Sequence, residues 1–247
     1  MMQRAGRGCA ILTYHSLDHS GSVISVRPER FRSQMETLAA SSIRVVPLTE
    51  VLDLPGAIAI TFDDGFANLA DHAAPVLERL ALPATIFVVS AYCGGRNDWP
   101  SQPPGIPRMP LMSWAVLRDL PPCFSLGAHT VTHPDLSALE EREILREVCE
   151  SRTEIEQRTG RQVATFAYPY GAADARAAAV VRREFALGCG TRLNFAGPEE
   201  DRAMLPRLDT FYLKSPRWFG QPFSASSRLY IGLRRRLREV RAVLKAE

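Results

Sequence analysis

Apolar residues fall along this chain in short dense runs, separated by stretches in which they recur every three or four positions. The first pattern suits buried strands and the second amphipathic helices, so their alternation predicts βα units around a mainly parallel sheet. Strands are expected at residues 9–14, 43–46, 57–62, 84–89, 124–127, 163–167, 187–191 and 204–208. Pro28 suits the first position of a helix whose Phe31, Met35 and Leu38 share one face. A second helix spans 68–80, with Pro75 a kink or break. Ser113 caps a short helix, and the longest is expected over 139–159, stopped by Gly160. Residues 91–112 hold five prolines and three glycines and read as a long irregular loop of the kind that carries function. No repeat or linker divides the chain. The expected architecture is one α/β barrel-like domain, residues 8–212, followed by a C-terminal extension, 213–247.

Composition fits that picture. At 247 residues, 46% hydrophobic and 23% charged, the chain has room for one substantial core. No run approaches the roughly 20 apolar residues of a membrane span. The N-terminal apolar run, Cys9 to Leu12, is soon interrupted by Tyr14 and His15, so no secretory leader is expected. Five scattered cysteines without CxxC spacing point the same way, to unpaired thiols and a cytoplasmic protein.

Charge is concentrated at one end. From Arg228 onward, six Arg and one Lys oppose two Glu, a net of +5 against +3 for the whole chain. The remainder is therefore slightly acidic, and nothing in it suggests a nucleic-acid partner. Within the tail, Leu229, Leu233, Leu237, Val240 and Leu244 recur at helical spacing among Arg234, Arg235, Arg236, Arg238 and Arg241. Such a helix either packs its apolar stripe on the barrel or lies on an anionic membrane surface, here the inner face. Packing is the expected arrangement, and peripheral membrane contact the alternative.

Three segments carry chemistry. The apolar run AIAITF ends in Asp63-Asp64-Gly65. Adjacent carboxylates at a buried strand end repel and are costly to desolvate, which a cation relieves, although Asp before Gly also makes ordinary turns. His129 and His133 in HTVTHP can face one cation from a helical turn or a compact loop. With Asp64 they form a two-histidine, one-carboxylate set that leaves positions open for water. The third segment, FAYPYG (166–171), is a Pro-Gly turn among aromatics that can offer a backbone N–H and an aromatic wall to a ligand.

TFDDG, HTVTHP and YPYG, with LPATIFV (82–88) and the Asn97-Asp98-Trp99 loop, resemble in order and separation the polysaccharide deacetylases of the NodB-homology type, carbohydrate esterase family 4. The resemblance covers about residues 8–210. It implies a distorted (β/α) barrel, a divalent metal, usually zinc, and hydrolysis of acetyl groups from an N-acetylated sugar. By that likeness Asp63 is the base, and Asp64, His129 and His133 are metal ligands. Tyr170 supplies a backbone N–H to the oxyanion, with Pro169, Gly171 and Trp99 lining the substrate site. Two positions depart from the family. Its third motif often holds an Arg that orients the base, where this chain has Ala167 and Tyr168. Arg207 is the candidate replacement, or else a surface arginine beside Asp209. A late histidine usually serves as general acid, yet none follows His133. The chain's TYHSL and FAYPYG segments resemble the branch of poly-N-acetylglucosamine deacetylases, which makes His15 the substitute acid. The implied function is removal of N-acetyl groups from a polysaccharide, oligosaccharide or glycan precursor. The alternatives are deacetylation or deformylation of a lipid-linked amino sugar, and a non-catalytic carbohydrate-binding protein on the same scaffold.

Overall fold

The computed structural model describes residues 8–215 and 217–246, with backbone alone for 241–246. In chain order the strands are Ala10–Tyr14 (β1), Ser16–Leu17 (β2), Ser25–Val26 (β3), Ile58–Phe62 (β4), Ala84–Val88 (β5), Phe124–Ala128 (β6), Thr165–Ala167 (β7), Leu187–Leu193 (β8) and Leu205–Asp209 (β9). Helices are Pro28–Ala39 (α1), Asn68–His72 (α2), Ala74–Arg79 (α3), Trp114–Arg118 (α4), Glu141–Thr159 (α5), Ala175–Glu184 (α6), Arg217–Gly220 (α7) and Ala225–Ala246 (α8). Seven strands close a barrel in the order β1-β4-β5-β6-β7-β8-β9, all pairs parallel, and β2 and β3 form a small separate ribbon. Distortion is local: β6 and β7 share one register pair, and β8 carries an irregularity between Cys189 and Leu193.

Every residue of IAITF and ATIFV is buried, because the helices cover the outside while side chains fill the inside. Alternation assigns the two faces. Ile11, Ala59, Phe87, Ala167, Cys189 and Leu205 pack together within the barrel, and Leu12, Ile58, Ile60, Ile86 and Leu126 pack under the helices. Two residues beyond the inward Thr13, Thr61 and Gly127 come His15, Asp63 and His129, so strand periodicity delivers these three to the barrel's C-terminal rim. Gly127 has no latitude for a side chain: a Cβ there would meet the Phe87 ring at 2.4 Å.

The helices follow their sequence signals. Pro28 opens α1, which buries Phe31, Met35 and Leu38. Pro75 lies at the break between α2 and α3. Ser113 caps α4 by accepting from the Val116 N–H, and Gly160, at φ 69°, ends α5. Two expectations fail, and one helix lies where none was expected. Residues 43–46 make only an isolated bridge, Val45 to Ile58, because Pro47 has no N–H with which to continue a ladder. Helix α6 was not foreseen, although Asp174 before an alanine-rich run is a clear cap, accepting from the Arg176 and Ala177 N–H groups. The longest helix is α8, at 22 residues, not α5 at 19.

The leucine stripe of α8 is also not where packing was expected. Ser227 and Ile231 are its buried contacts, whereas Leu229, Leu233, Leu237 and Val240 are exposed. Tyr230 stacks on Trp218 with ring centroids 4.4 Å apart and donates through its hydroxyl to the Tyr212 carbonyl at 2.9 Å. These aromatic anchors fix which face turns inward. The Leu244 and Arg241 side chains lie outside the described residues. No described helix is long and apolar enough to cross a membrane. All five cysteines are free, as expected, with burial pushing the Cys189 thiol up to about 12.

Candidate active site

Asp63 and Asp64 leave β4 as its buried ladder ends. The Asp63 N–H still donates to the Tyr14 carbonyl at 2.9 Å, one pairing beyond the strand. Asp64 and Gly65 then adopt φ 71° and 74°, so the chain turns sharply and the two carboxylates part. Thr130, His133 and Tyr170 also have positive φ, which puts four of the five such non-glycine residues of the described chain at this rim. Strain of this kind costs on the order of 1 kcal/mol or more per residue and persists only where the surroundings impose it.

Asp64 joins both histidines. Its Oδ1 lies 3.4 Å from each Nε2, and the two Nε2 atoms are 3.2 Å apart. His129 directs Nδ1 at the Ala167 carbonyl, 2.7 Å away, which makes that nitrogen the donor and turns the Nε2 lone pair toward Asp64. A tetrahedral ion with bonds of about 2.0–2.1 Å places its ligand atoms about 3.3–3.4 Å apart. The three donors have that spacing, and the set fits a divalent metal. Burial and the two histidine contacts work in opposite directions on Asp64, and the contacts prevail, holding its carboxyl well below the usual range. Burial lowers both imidazoles as well. In His129 the carboxylates of Asp64 and Asp63 prevail and raise it, whereas in His133 burial and the neighbouring His129 prevail and lower it.

Asp63 stands apart from this trio and belongs to Arg207. The guanidinium clamps it in two parallel bonds, Nη1 to Oδ1 at 2.6 Å and Nη2 to Oδ2 at 2.7 Å. Arg207 is 2% exposed, donates through Nε to the Gly190 carbonyl at 2.9 Å, and lies over the Phe87 ring. It is therefore no surface arginine. Burial would raise the Asp63 carboxyl, but the Arg207 charge and bonds, with His15 and His129, hold it below its ordinary value. His15 Nε2 lies 3.8 Å from Asp63 Oδ2, with the side chain partly open to solvent. The three meet because β1 sits between β4 and β9 in the barrel.

The walls are aromatic. Trp99, buried, stacks on His133 at 4.1 Å and donates to the Tyr170 hydroxyl at 3.1 Å. Tyr170 in turn donates to the Ser101 carbonyl at 2.8 Å and meets His133 edge-on. Of the turn 169–171, Tyr170 faces the pocket, while Pro169 is buried and Gly171 shapes the backbone, since a Cβ there would lie 2.1 Å from Thr191 Oγ1. The pocket over the trio has a volume of about 290 Å³. A second hollow of about 330 Å³ shares His15, Val23, Ile24, Asp63 and Thr191 with it and continues to Tyr212 and Arg238.

Glu147 is the supporting residue that no sequence signal marked. Buried on α5, it accepts from the Val131 and Thr132 N–H groups at 2.9 and 2.8 Å and from the Thr132 hydroxyl at 2.8 Å. It thereby pins the loop that carries His133, whose own N–H donates to Thr130 Oγ1 at 2.9 Å. Glu147→Ala is expected to strand those donors, costing about 3 kcal/mol in denaturant unfolding and about 10- to 100-fold in metal affinity by titration.

Fold and site together define a parallel-barrel protein with a two-histidine, one-carboxylate cluster at the C-terminal strand ends, backed by an arginine-held carboxylate. The chain belongs to the polysaccharide deacetylase family, whose model matches residues 53–184, more than half of it. Among solved structures it is similar to the Streptococcus pyogenes deacetylase PplD, determined in complex with acetate, with TM-score 0.76, 19% identity, and coverage of 89% of this chain and 99% of that one. It is also similar to IcaB from Ammonifex degensii, with TM-score 0.72, 22% identity, and coverage of 90% and 98%. Both likenesses are of fold. A Bacillus subtilis relative named as a polysaccharide deacetylase, YxkH, is 24% identical over 169 residues, which span 65% of this chain and 56% of the relative's length.

Proposed function

We propose that this protein is a metal-dependent N-deacetylase, zinc being the metal its donor set favours, acting on N-acetylated amino sugars of a polysaccharide, oligosaccharide or glycan precursor. The observation that carries the reading is the Asp64–His129–His133 cluster at 3.2–3.4 Å spacing, adjacent to a carboxylate that Arg207 holds off it. A divalent ion there would polarise the acetyl carbonyl and lower the pKa of a nearby water from about 16 toward 7.

The chain's residues supply the rest. Arg207 keeps Asp63 ionised and oriented, so it accepts the proton released as water adds to the acetyl carbon. The Tyr170 N–H donates to the oxygen on which charge develops. His15, beside Asp63 on the groove side, gives a proton to the sugar nitrogen as the C–N bond breaks, leaving acetate and a free amine. His15→Asn is expected to lower kcat by about 100-fold or more with metal content unchanged. Turnover within a few-fold of wild type would remove His15 from the reaction.

The Asp63–Arg207 clamp and the nearby His15 offer groups suited to the two roles for which the sequence departs from the family, and this supports an enzyme over a carbohydrate-binding protein. The exposed leucine face of α8 favours a second reading, in which the acylated amino sugar is carried on a lipid. Five free thiols suit a cytoplasmic setting for either. The test is release of acetate or formate from N-acylated hexosamine oligomers by metal-stripped and zinc-reloaded protein. Acetate release that returns with zinc supports the reading; release unaffected by stripping overturns metal dependence.

A further inference from the structure

Helix α8 shows opposite chemistry on its two sides. Leu229, Leu233, Leu237 and Val240 are 76, 56, 43 and 57% exposed and line up at helical spacing along one face. The face turned to the protein carries Ser227, Ile231, Arg234 and Arg238, with both arginines over the Tyr212 ring. An amphipathic helix on a globular domain ordinarily turns its apolar stripe inward. Here the stacking of Tyr230 on Trp218 and the Tyr230–Tyr212 hydrogen bond hold it the other way round. Of the exposed large apolar residues elsewhere, Val23 and Tyr170 line the active-site groove.

We propose that α8 is an interfacial helix whose leucine face docks the protein on an anionic membrane surface. Charge selects this occupant. Residues 225–240 hold five arginines and one glutamate, and no described carboxylate besides Glu239, which pairs with Arg235, lies within ion-pair distance of them. Arg234 and Arg238 face the protein, whereas helical spacing sets Arg236 within the leucine stripe and Arg228 and Arg235 beside it. Two copies meeting through this face would bring these like charges together, whereas phosphate headgroups accept them and let the arginine stems bury alongside the leucines. The helix is not apolar enough to cross a bilayer, so it lies along the surface.

Docking also places the catalytic groove. Arg238 and Tyr212 line the hollow that contains His15 and Asp63, so the helix that touches lipid is itself one wall of that groove. The groove then opens about one helix diameter, roughly 10 Å, from the headgroups. If the deacetylase reading holds, and this extension rests on it, amino sugars displayed at that surface are its natural substrates.

The test is flotation of the full-length protein with phosphatidylcholine vesicles, with and without phosphatidylglycerol. Wild type is expected to float with the anionic vesicles, less so at high salt, and not with the neutral ones. The triple variant Leu229→Ser, Leu233→Ser, Leu237→Ser is expected to lose flotation at least about tenfold while keeping its far-UV circular dichroism and its activity on soluble oligomers. Wild type left at the bottom of every gradient, or a triple variant that floats as well as wild type, overturns the proposal. A concentration-dependent dimer that the triple variant abolishes also overturns it, by assigning the stripe to a second copy. Flotation without deacetylase activity would leave the docking intact and refute the catalytic reading instead.

Discussion

Asp63→Asn should retain bound metal and lose about 1,000-fold or more in acetate release, the largest single effect expected in this protein. The substitution keeps the shape that fills the space beside Arg207 and removes the basic oxygen. Metal retention follows from the geometry, because the ligand trio is Asp64, His129 and His133, and Asp63 spends both oxygens on the Arg207 guanidinium. Stability is expected to fall as well, since Arg207 is buried and would lose its counter-charge. Three readings on one sample separate these effects: metal content, melting temperature and kcat. A variant that turns over within tenfold of wild type would show that Asp63 is not the base; one that loses its metal would place Asp63 among the ligands.

Arg207→Met is expected to produce the second largest effect, with a pH signature of its own. The variant leaves a buried carboxylate without its partner, a loss of about 3–5 kcal/mol near neutral pH. The sign follows from the direction of the Asp63 shift. In wild type its carboxyl lies below the ordinary value, so its contribution to stability is complete above the unfolded pKa of about 3.9 and is lost as pH falls through the folded value. Without Arg207, burial dominates and raises the same carboxyl. The destabilisation should therefore shrink toward pH 4, where Asp63 can take up a proton, and the acidic limb of the pH–rate profile should move upward. Denaturant unfolding of both proteins at pH 4 and pH 7 measures the first, and kcat/KM against pH the second. Equal losses of stability at the two pH values would mean that Arg207 acts through packing against Phe87 rather than through Asp63. Adding Asp63→Asn to Arg207→Met should recover part of the lost stability, since no buried charge is then left alone.

Legibility differed by kind of residue. Asp63, Asp64, His129 and His133 could be read because each sits just past a short buried strand, and strand-end chemistry shows up as polar residues interrupting an apolar run. The same period-2 logic that predicts those strands places Asp63 and His129 on the inward face. Residues 43–46 misled because an apolar run of that length marks a strand only where a neighbour can pair with all of it. Helix α6 had its cap in plain view at Asp174.

Glu147 offered no comparable signal. An acidic residue in a helix of charged residues looks like part of a solvated face, and only the fold buries it beneath the Val131–Thr132 amides. Arg207 remained open for the same reason: its partner lies 144 positions away, and a local pattern cannot distinguish a salt bridge to Asp63 from one to Asp209.

From the sequence alone came the strand–helix alternation, the barrel class and the identity of the groups that carry chemistry, since these depend on spacing between near neighbours. Only the tertiary structure decided which of them touch: that β1 lies between β4 and β9 and so joins His15, Asp63 and Arg207, and that α8 turns Arg238 toward the groove and its leucines outward. Periodicity says that a helix has two faces. Which face meets the protein is settled by contacts from elsewhere in the chain, here Trp218, which stacks on Tyr230, and Tyr212, whose carbonyl accepts from the Tyr230 hydroxyl.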